Sequence, residues 1–175
     1  MSDGNAGSLP AGFSHEDVEA LFFGAARDGQ DDILAQFLEA GADPNRLDGR
    51  GYTPLILASY NGHEAASRLL VAGGADPDLS DGKGNTALSG VAFKGDLVLA
   101  SALIELGATV DAPNHVGRTP LMFAVMFGRT AMVELLLAHR ADPHRQDGEG
   151  VSAAILAERQ NNVALSALLA SGARP

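Results

Sequence analysis

The chain repeats itself every 33 residues. Gly51-Tyr52-Thr53-Pro54-Leu55 returns as Gly84-Asn85-Thr86-Ala87-Leu88, then as Gly117-Arg118-Thr119-Pro120-Leu121. A worn copy follows at Gly150-Val151-Ser152-Ala153-Ala154. Other landmarks keep the same step. Gly29, Gly62, Gly95 and Gly128 are in register, with Asn161 in the next place. So are Ala42-Asp43-Pro44, Ala75-Asp76-Pro77 and Ala141-Asp142-Pro143, with Ala108-Thr109-Val110 between them. A period of this length marks a stacked solenoid, in which each unit buries its apolar side against its neighbours.

Each period reads as two helices. Thr53 has the side chain of a helix cap, and Pro54 suits the first helical turn, where an N–H has no partner anyway. Gly62 lets the chain reverse. Residues 64–72 form a return helix with Leu69 and Leu70 facing the stack, and Gly73-Gly74 closes it. Ahead of the first full period, Ser14 caps a helix with Asp17 three places on, an acidic variant of the capping box. Asp31 and Asp32 open the next helix, where the positive end of the dipole favours them.

These residues resemble the ankyrin-repeat family, whose unit is a β-turn plus two helices with a Thr-Pro-Leu-His signature. The resemblance covers about residues 13–175. It implies an all-α fold, an ankyrin-repeat solenoid of helix-turn-helix units with short β-hairpin turns. The expected organisation is a disordered tail over 1–12, an N-terminal capping repeat over 13–47, and repeats over 48–80, 81–113 and 114–146. A C-terminal capping repeat over 147–175 completes it. The signature His is absent: Ile56, Ser89, Met122 and Ile155 take its places. In the family that His ties neighbouring turns together, so its loss implies less rigid turns. The third repeat departs furthest. Ala87 replaces Pro, Thr109-Val110 replaces Asp-Pro, and Gly90 inside a helix costs about 1 kcal/mol relative to Ala. It is expected to open first. Arg140 stands where other repeats have Gly41, Gly74 and Gly107, so that turn is expected to be strained or differently shaped.

Charge and composition narrow the function. The net charge is −10, which disfavours nucleic acid and anionic membrane as partners. It is uneven. Residues 1–113 carry 17 acidic and 6 basic side chains, and residues 114–175 carry 5 and 6. With no Cys, there is no thiolate nucleophile or Cys-based zinc site. The N-terminus lacks a basic start and an apolar core, so it does not read as a signal peptide. A cytoplasmic protein is expected. Arg outnumbers Lys by 10 to 2, which together with abundant Ala and Gly points to a GC-rich bacterial genome.

Chemistry has little to stand on. Gly82-Lys83-Gly84 lacks the spacing and the strand-to-helix setting of a phosphate loop, and the period explains its glycines as turns. His139 and His144 lie five apart across a turn, which is not metal-ligand spacing on a helix. His63 reads as a packing or hydrogen-bonding residue. No nucleophile, base and orienting group can be assembled. No enzymatic activity and no cofactor are expected.

Function is expected on the extended face that a repeat array presents. In the ankyrin family, the resemblance implies, that face is the hairpin tips and the exposed side of each first helix. The period then selects its residues. Near the first-helix ends run Tyr60, Phe93, Met126 and Arg159, with Lys94 and Phe127 beside them. At the tips stand Arg50 and Tyr52, Lys83 and Asn85, then His115 and Arg118. The centre is aromatic and apolar, as binding hot spots are, and Arg50, Lys83, Lys94 and Arg118 surround it. The expected partner is a protein with an apolar centre and an acidic rim, bound by a monomeric array. Without an attached effector domain, the array is expected to hold, block or stabilise that partner, as an accessory or inhibitor of a bacterial enzyme would. The alternative is a self-associating structural scaffold, with the Leu and Ala faces of the end repeats paired.

Overall fold

The computed structural model describes residues 14–172; the tail expected over 1–12 lies outside them. Ten helices among the described residues fall into five pairs. The first is α1 (His15–Asp28) with α2 (Asp31–Glu39), the second α3 (Pro54–Tyr60) with α4 (Glu64–Ala72). The third is α5 (Ala87–Lys94) with α6 (Leu97–Glu105), the fourth α7 (Pro120–Met126) with α8 (Thr130–Ala138). The last is α9 (Ala153–Arg159) with α10 (Val163–Gly172). First helices pack in the series α1, α3, α5, α7, α9, and second helices in a parallel series. The chain is an all-α solenoid.

The periodic residues build it as the pattern requires. Ser14 and Asp17 form a full capping box on α1. Thr53, Thr86, Thr119 and Ser152 are buried, and each hydroxyl accepts an N–H from the first turn of its own helix. Buried hydroxyls with partners close the helix ends that the stack hides from water. Between helices, Ala25, Ala58, Val91, Ala124 and Ala157 stand one period apart and are all buried. Small side chains there let neighbouring first helices approach closely. Leu70, Leu103, Leu136 and Leu169, also one period apart, are completely buried in the second row.

Each tip is a turn, and no strand occurs among the described residues. The Asp48 N–H donates to Tyr52 O at 2.9 Å, and Asp81, Asn114 and Asp147 repeat this bond with Asn85, Arg118 and Val151. The side chains of Asp48, Asp81, Asn114 and Asp147 each accept two further backbone N–H groups within the turn. Neighbouring tips are joined where His115 N donates to Lys83 O and Gly148 N to Val116 O. Backbone bonds therefore tie the tips at these two junctions without the signature His.

The third repeat is better held than its sequence suggests. A Cβ on Gly90 would stand 3.2 Å from the Tyr60 ring, so the glycine makes room for that ring. Thr109 donates both its N–H and its hydroxyl to Asp78. With α5 and α6 packed on both sides, these contacts offset the propensity cost, and the end repeats become the expected first to open.

Arg140 keeps the conformation of the glycines it replaces, with φ at 66° against 86°, 98° and 100° at Gly41, Gly74 and Gly107. A Cβ at those three glycines meets nothing within 4 Å, so side-chain room is not the difficulty. The left-handed backbone is. Arg140→Gly is expected to stabilise the fold by about 1 kcal/mol, read as a higher urea midpoint.

A second weak point lies in the loop between α6 and α7, which bonds to the Arg140 turn. Asn45 accepts the Asp76 N–H and donates its amide to Gly74 O. One period on, Asp78 serves Thr109 in the same way. Asp111 follows, and its Oδ2 accepts the Asp142 N–H, but its Oδ1 is buried with no partner among the described residues. Burial raises the Asp111 pKa above the usual carboxylate value. The Asp142 N–H opposes this, the Asp142 charge adds to it, and Arg145 opposes it. A carboxyl with a raised folded pKa holds its proton longer in the native state than in the unfolded chain. Its contribution to stability therefore grows as pH falls from above the folded pKa to below the unfolded value. Asp111→Asn, which restores an Asn45-like donor, is expected to add about 1 kcal/mol at neutral pH. It should also flatten that part of the pH dependence, checked by urea titrations at neutral and mildly acid pH.

Candidate functional site

Three periodic rows of the first helices build the exposed face. The row nearest the core is Leu57, Gly90 and Phe123. Leu57 and Phe123 are half-buried, and Gly90 between them makes room for the Tyr60 ring. The middle row is Tyr60, Phe93 and Met126, and the outer row is Asn61, Lys94 and Phe127.

Aromatic rings from three repeats form a ladder across these rows. Tyr60 and Phe93 stack with centroids 6.5 Å apart and planes within 14°. Phe93 meets Phe127 edge-on at 4.4 Å. Such pairs are favourable beyond their buried area. Yet Tyr60 stays 42% exposed and Phe127 45%, while Phe93 between them is half-buried. Lys94 places its ammonium 4.5 Å from the Tyr60 ring centre and donates to Tyr60 O at 2.6 Å. The ladder is thus held from one side and open on the other.

Beneath it runs a groove of about 490 Å³. Tyr60 and Phe93 of the ladder line it, with Leu57 and Phe123, and with Tyr52 and Lys83 from the tips. Gly90 and the buried Ser89 line it as well; Ser89 Oγ lies 3.3 Å from Thr86 Oγ1. Ser89 occupies the place held by Ile56 and Met122 in adjacent repeats, and Gly90 the place of Leu57 and Phe123. The two small residues of the third repeat hollow out the groove. In the sequence Gly90 reads as a helix cost and Ser89 as a replacement for the signature His. The available signal was a pair of small residues at one register where both neighbours are large.

The other residues singled out from sequence divide into several settings. Tyr52, Tyr60, Lys83, Asn85 and Phe93 come together around the groove. Phe127 and Lys94 join through the ladder. Asn85 also serves the fold, accepting from the Asn114 amide at 3.0 Å and donating to Asp81. Met126 is half-buried, and its carbonyl accepts from the Gln160 amide. His115 is exposed but lies against Gly84. Arg50 and Arg159 are exposed, Arg50 at a tip and Arg159 at the end of α9.

Arg118 is tied down. It reaches Asp147 of the next turn at 3.6 Å. Burial works to raise the Asp147 pKa, but the N–H groups of Val151 and Glu149, with Arg118, hold it below the usual carboxylate value. Arg118 therefore reaches from one turn to the next, and the exposed cations in contact with the groove are Lys83, which lines it, and Lys94 and Arg129, which bond the carbonyls of Tyr60 and Phe93.

A further regularity joins the repeats at one carbonyl per unit. His63 Nε2 reaches Arg27 O at 3.0 Å, Lys94 reaches Tyr60 O, Arg129 reaches Phe93 O at 3.0 Å, and Gln160 reaches Met126 O. The four acceptors stand one period apart at the ends of first helices, where carbonyls lack intrahelical partners. A carbonyl can only accept, so His63 carries its proton on Nε2. This is the hydrogen-bonding role expected of His63. Asp96 and Asn162, in the places that correspond to His63 and Arg129, instead cap their own helices. Lys94 and Gln160 then reach back in their stead.

Comparison with known proteins agrees with this architecture. The family model for ankyrin repeats in three copies matches residues 22–114, 67–147 and 89–175. The chain belongs to the ankyrin-repeat family. It is 40% identical over 47 residues to an ankyrin repeat-containing protein of Schizosaccharomyces pombe. That match covers 27% of this chain and 23% of the relative. Ankyrin repeats are protein-interaction modules. Among the described residues, no helix is long and apolar enough to cross a membrane. No group of three or more His, Asp or Glu side chains among them could hold a metal ion.

Proposed function

We propose that this protein binds a partner protein through the first-helix face, as a monomer, by surface complementarity and without chemistry. The observation that carries this is the Tyr60–Phe93–Phe127 ladder. Three rings from three repeats converge on the surface, although the core beneath is closed without them. A rigid aromatic cluster of this kind loses little conformational entropy on binding and supplies the buried centre of an interface. An array that offers a surface and no reactive group acts by holding, blocking or stabilising. An accessory or inhibitor of an enzyme is the form of that role we favour.

The test is capture from source lysate on two baits, the parent and a Tyr60→Ala, Phe93→Ala, Phe127→Ala variant of matched helicity. A protein held by the parent is expected to be lost by the variant, since each hot-spot truncation costs about 2 kcal/mol or more. Equal capture by both baits would move the binding face elsewhere. One observation favours a second reading, self-association: α10 carries no charged side chain, and its Val163 is 81% exposed. Light scattering whose apparent mass rises with concentration would support it.

A further inference from the structure

We infer that the groove over Gly90 is a subsite for one bulky apolar side chain, carried on an extended acidic segment of the partner. The inference rests on the binding face proposed above and names what part of it selects. Shape comes first. Gly90 and Ser89 stand where the adjacent repeats have large side chains, and the groove they line runs beside the Tyr60 ring, which sits against Gly90. Its walls are the rings of Tyr52, Tyr60 and Phe93. A notch lined by rings and a hydroxyl fits the end of a Leu, Met or Phe side chain better than a charged one.

Charge gives the rest. The protein is strongly acidic, yet the groups beside the notch are not. Lys83 lines the tip end, Lys94 stands over the Tyr60 ring, and Arg50 is exposed on the neighbouring tip. The nearby carboxylates, Asp48 and Asp81, are drawn into their turns. Each accepts two backbone N–H groups, and Asp81 takes the Asn85 amide as well. Exposed cations beside carboxylates bound into their turns complement a segment with Asp or Glu on either side of its apolar anchor. The overall charge of −10 works against such a segment, so a preference for it can arise only from this local arrangement.

The groove carries its own reporter. The chain has two tyrosines and no tryptophan, and both tyrosines line the notch. Intrinsic tyrosine emission therefore reads occupancy directly. The probes are short capped peptides with a central Leu or Phe between Asp and Glu residues, the same with central Ala, the same with Lys flanks, and free N-acetyl-leucine. The Leu or Phe acidic peptide is expected to change the emission saturably. The Ala-centred and Lys-flanked peptides should bind at least about tenfold more weakly. Gly90→Val, whose side chain meets the Tyr60 ring and enters the groove, should abolish the response at unchanged helicity. Lys83→Glu, which leaves the notch open, should weaken the acidic peptide and not the Lys-flanked one. Equal affinity of all peptides, N-acetyl-leucine binding as well as any peptide, no saturable change, or an undiminished response in Gly90→Val would each overturn the inference. If the triple aromatic variant loses its captured partner while Gly90→Val keeps it, the binding face stands and the notch subsite falls.

Discussion

Replacing Leu103 by Ala in α6 is expected to lower the unfolding free energy by about 3–4 kcal/mol. The side chain is completely buried, between Leu70 of the preceding repeat and Leu136 of the next. Removing it weakens two repeat interfaces at once, because α6 packs on both α4 and α8. The same substitution at Leu169 is the control. Leu169 is equally buried, but α10 belongs to the last described pair. In a linear array, stability is a sum of unit and nearest-neighbour contributions, so damage at an end stays local. Leu103→Ala should shift the whole urea transition. Leu169→Ala should add an early phase of small amplitude and leave the main transition within about 1 kcal/mol of the parent. Hydrogen exchange should agree, with α10 opening first in the parent and α5–α6 in the Leu103 variant. Equal shifts of a single transition in both variants would mean that all the repeats unfold as one unit.

The architecture was legible in the sequence because every element of it recurs. Thr53, Thr86 and Thr119 cap helices because a period places each at the same backbone position, and Ser152 does so in the degraded copy. Residue 140 lies in a left-handed turn because Gly41, Gly74 and Gly107 do, and an Arg there does not change the backbone path. The face was legible in the same way, since the period assigns Tyr60, Phe93 and Phe127 to one side of the stack. What the period could not supply is what each exposed group does with the repeat beside it. Arg118 reads as free until the 29-residue reach to Asp147 is seen. Lys94 reads as a rim cation, yet it also closes a helix-end carbonyl of the preceding repeat. The notch was hidden for a related reason. A register that names residues by type does not measure the space their neighbours leave, and only the placement of the Tyr60 ring against it makes Gly90 a contact rather than a flaw.

The glycines of the repeated tip allow strain and contact to be separated. Gly84 has φ at +81° and Gly150 at +73°, so a side chain at either meets the same backbone difficulty. At Gly150 an added Cβ finds nothing within 4 Å. At Gly84 it would stand 2.5 Å from His115 N and 2.6 Å from the His115 ring. That N–H is already donated to Lys83 O at 3.1 Å and holds the third tip against the fourth. Gly150→Ala is therefore expected to cost about 1 kcal/mol, the left-handed strain alone. Gly84→Ala should cost about 3 kcal/mol, since the neighbouring tip must move and its hydrogen bond is lost as well. Urea midpoints of the two variants measure the difference. Peptide binding in the tyrosine assay tests its consequence, because Lys83 and Asn85 flank Gly84 and line the groove. Gly84→Ala should weaken the acidic peptide under conditions where the helices remain folded, and Gly150→Ala should leave it unchanged. If the two substitutions cost the same, backbone conformation alone makes the repeated glycine necessary, and the contact between tips contributes nothing to either stability or the shape of the groove.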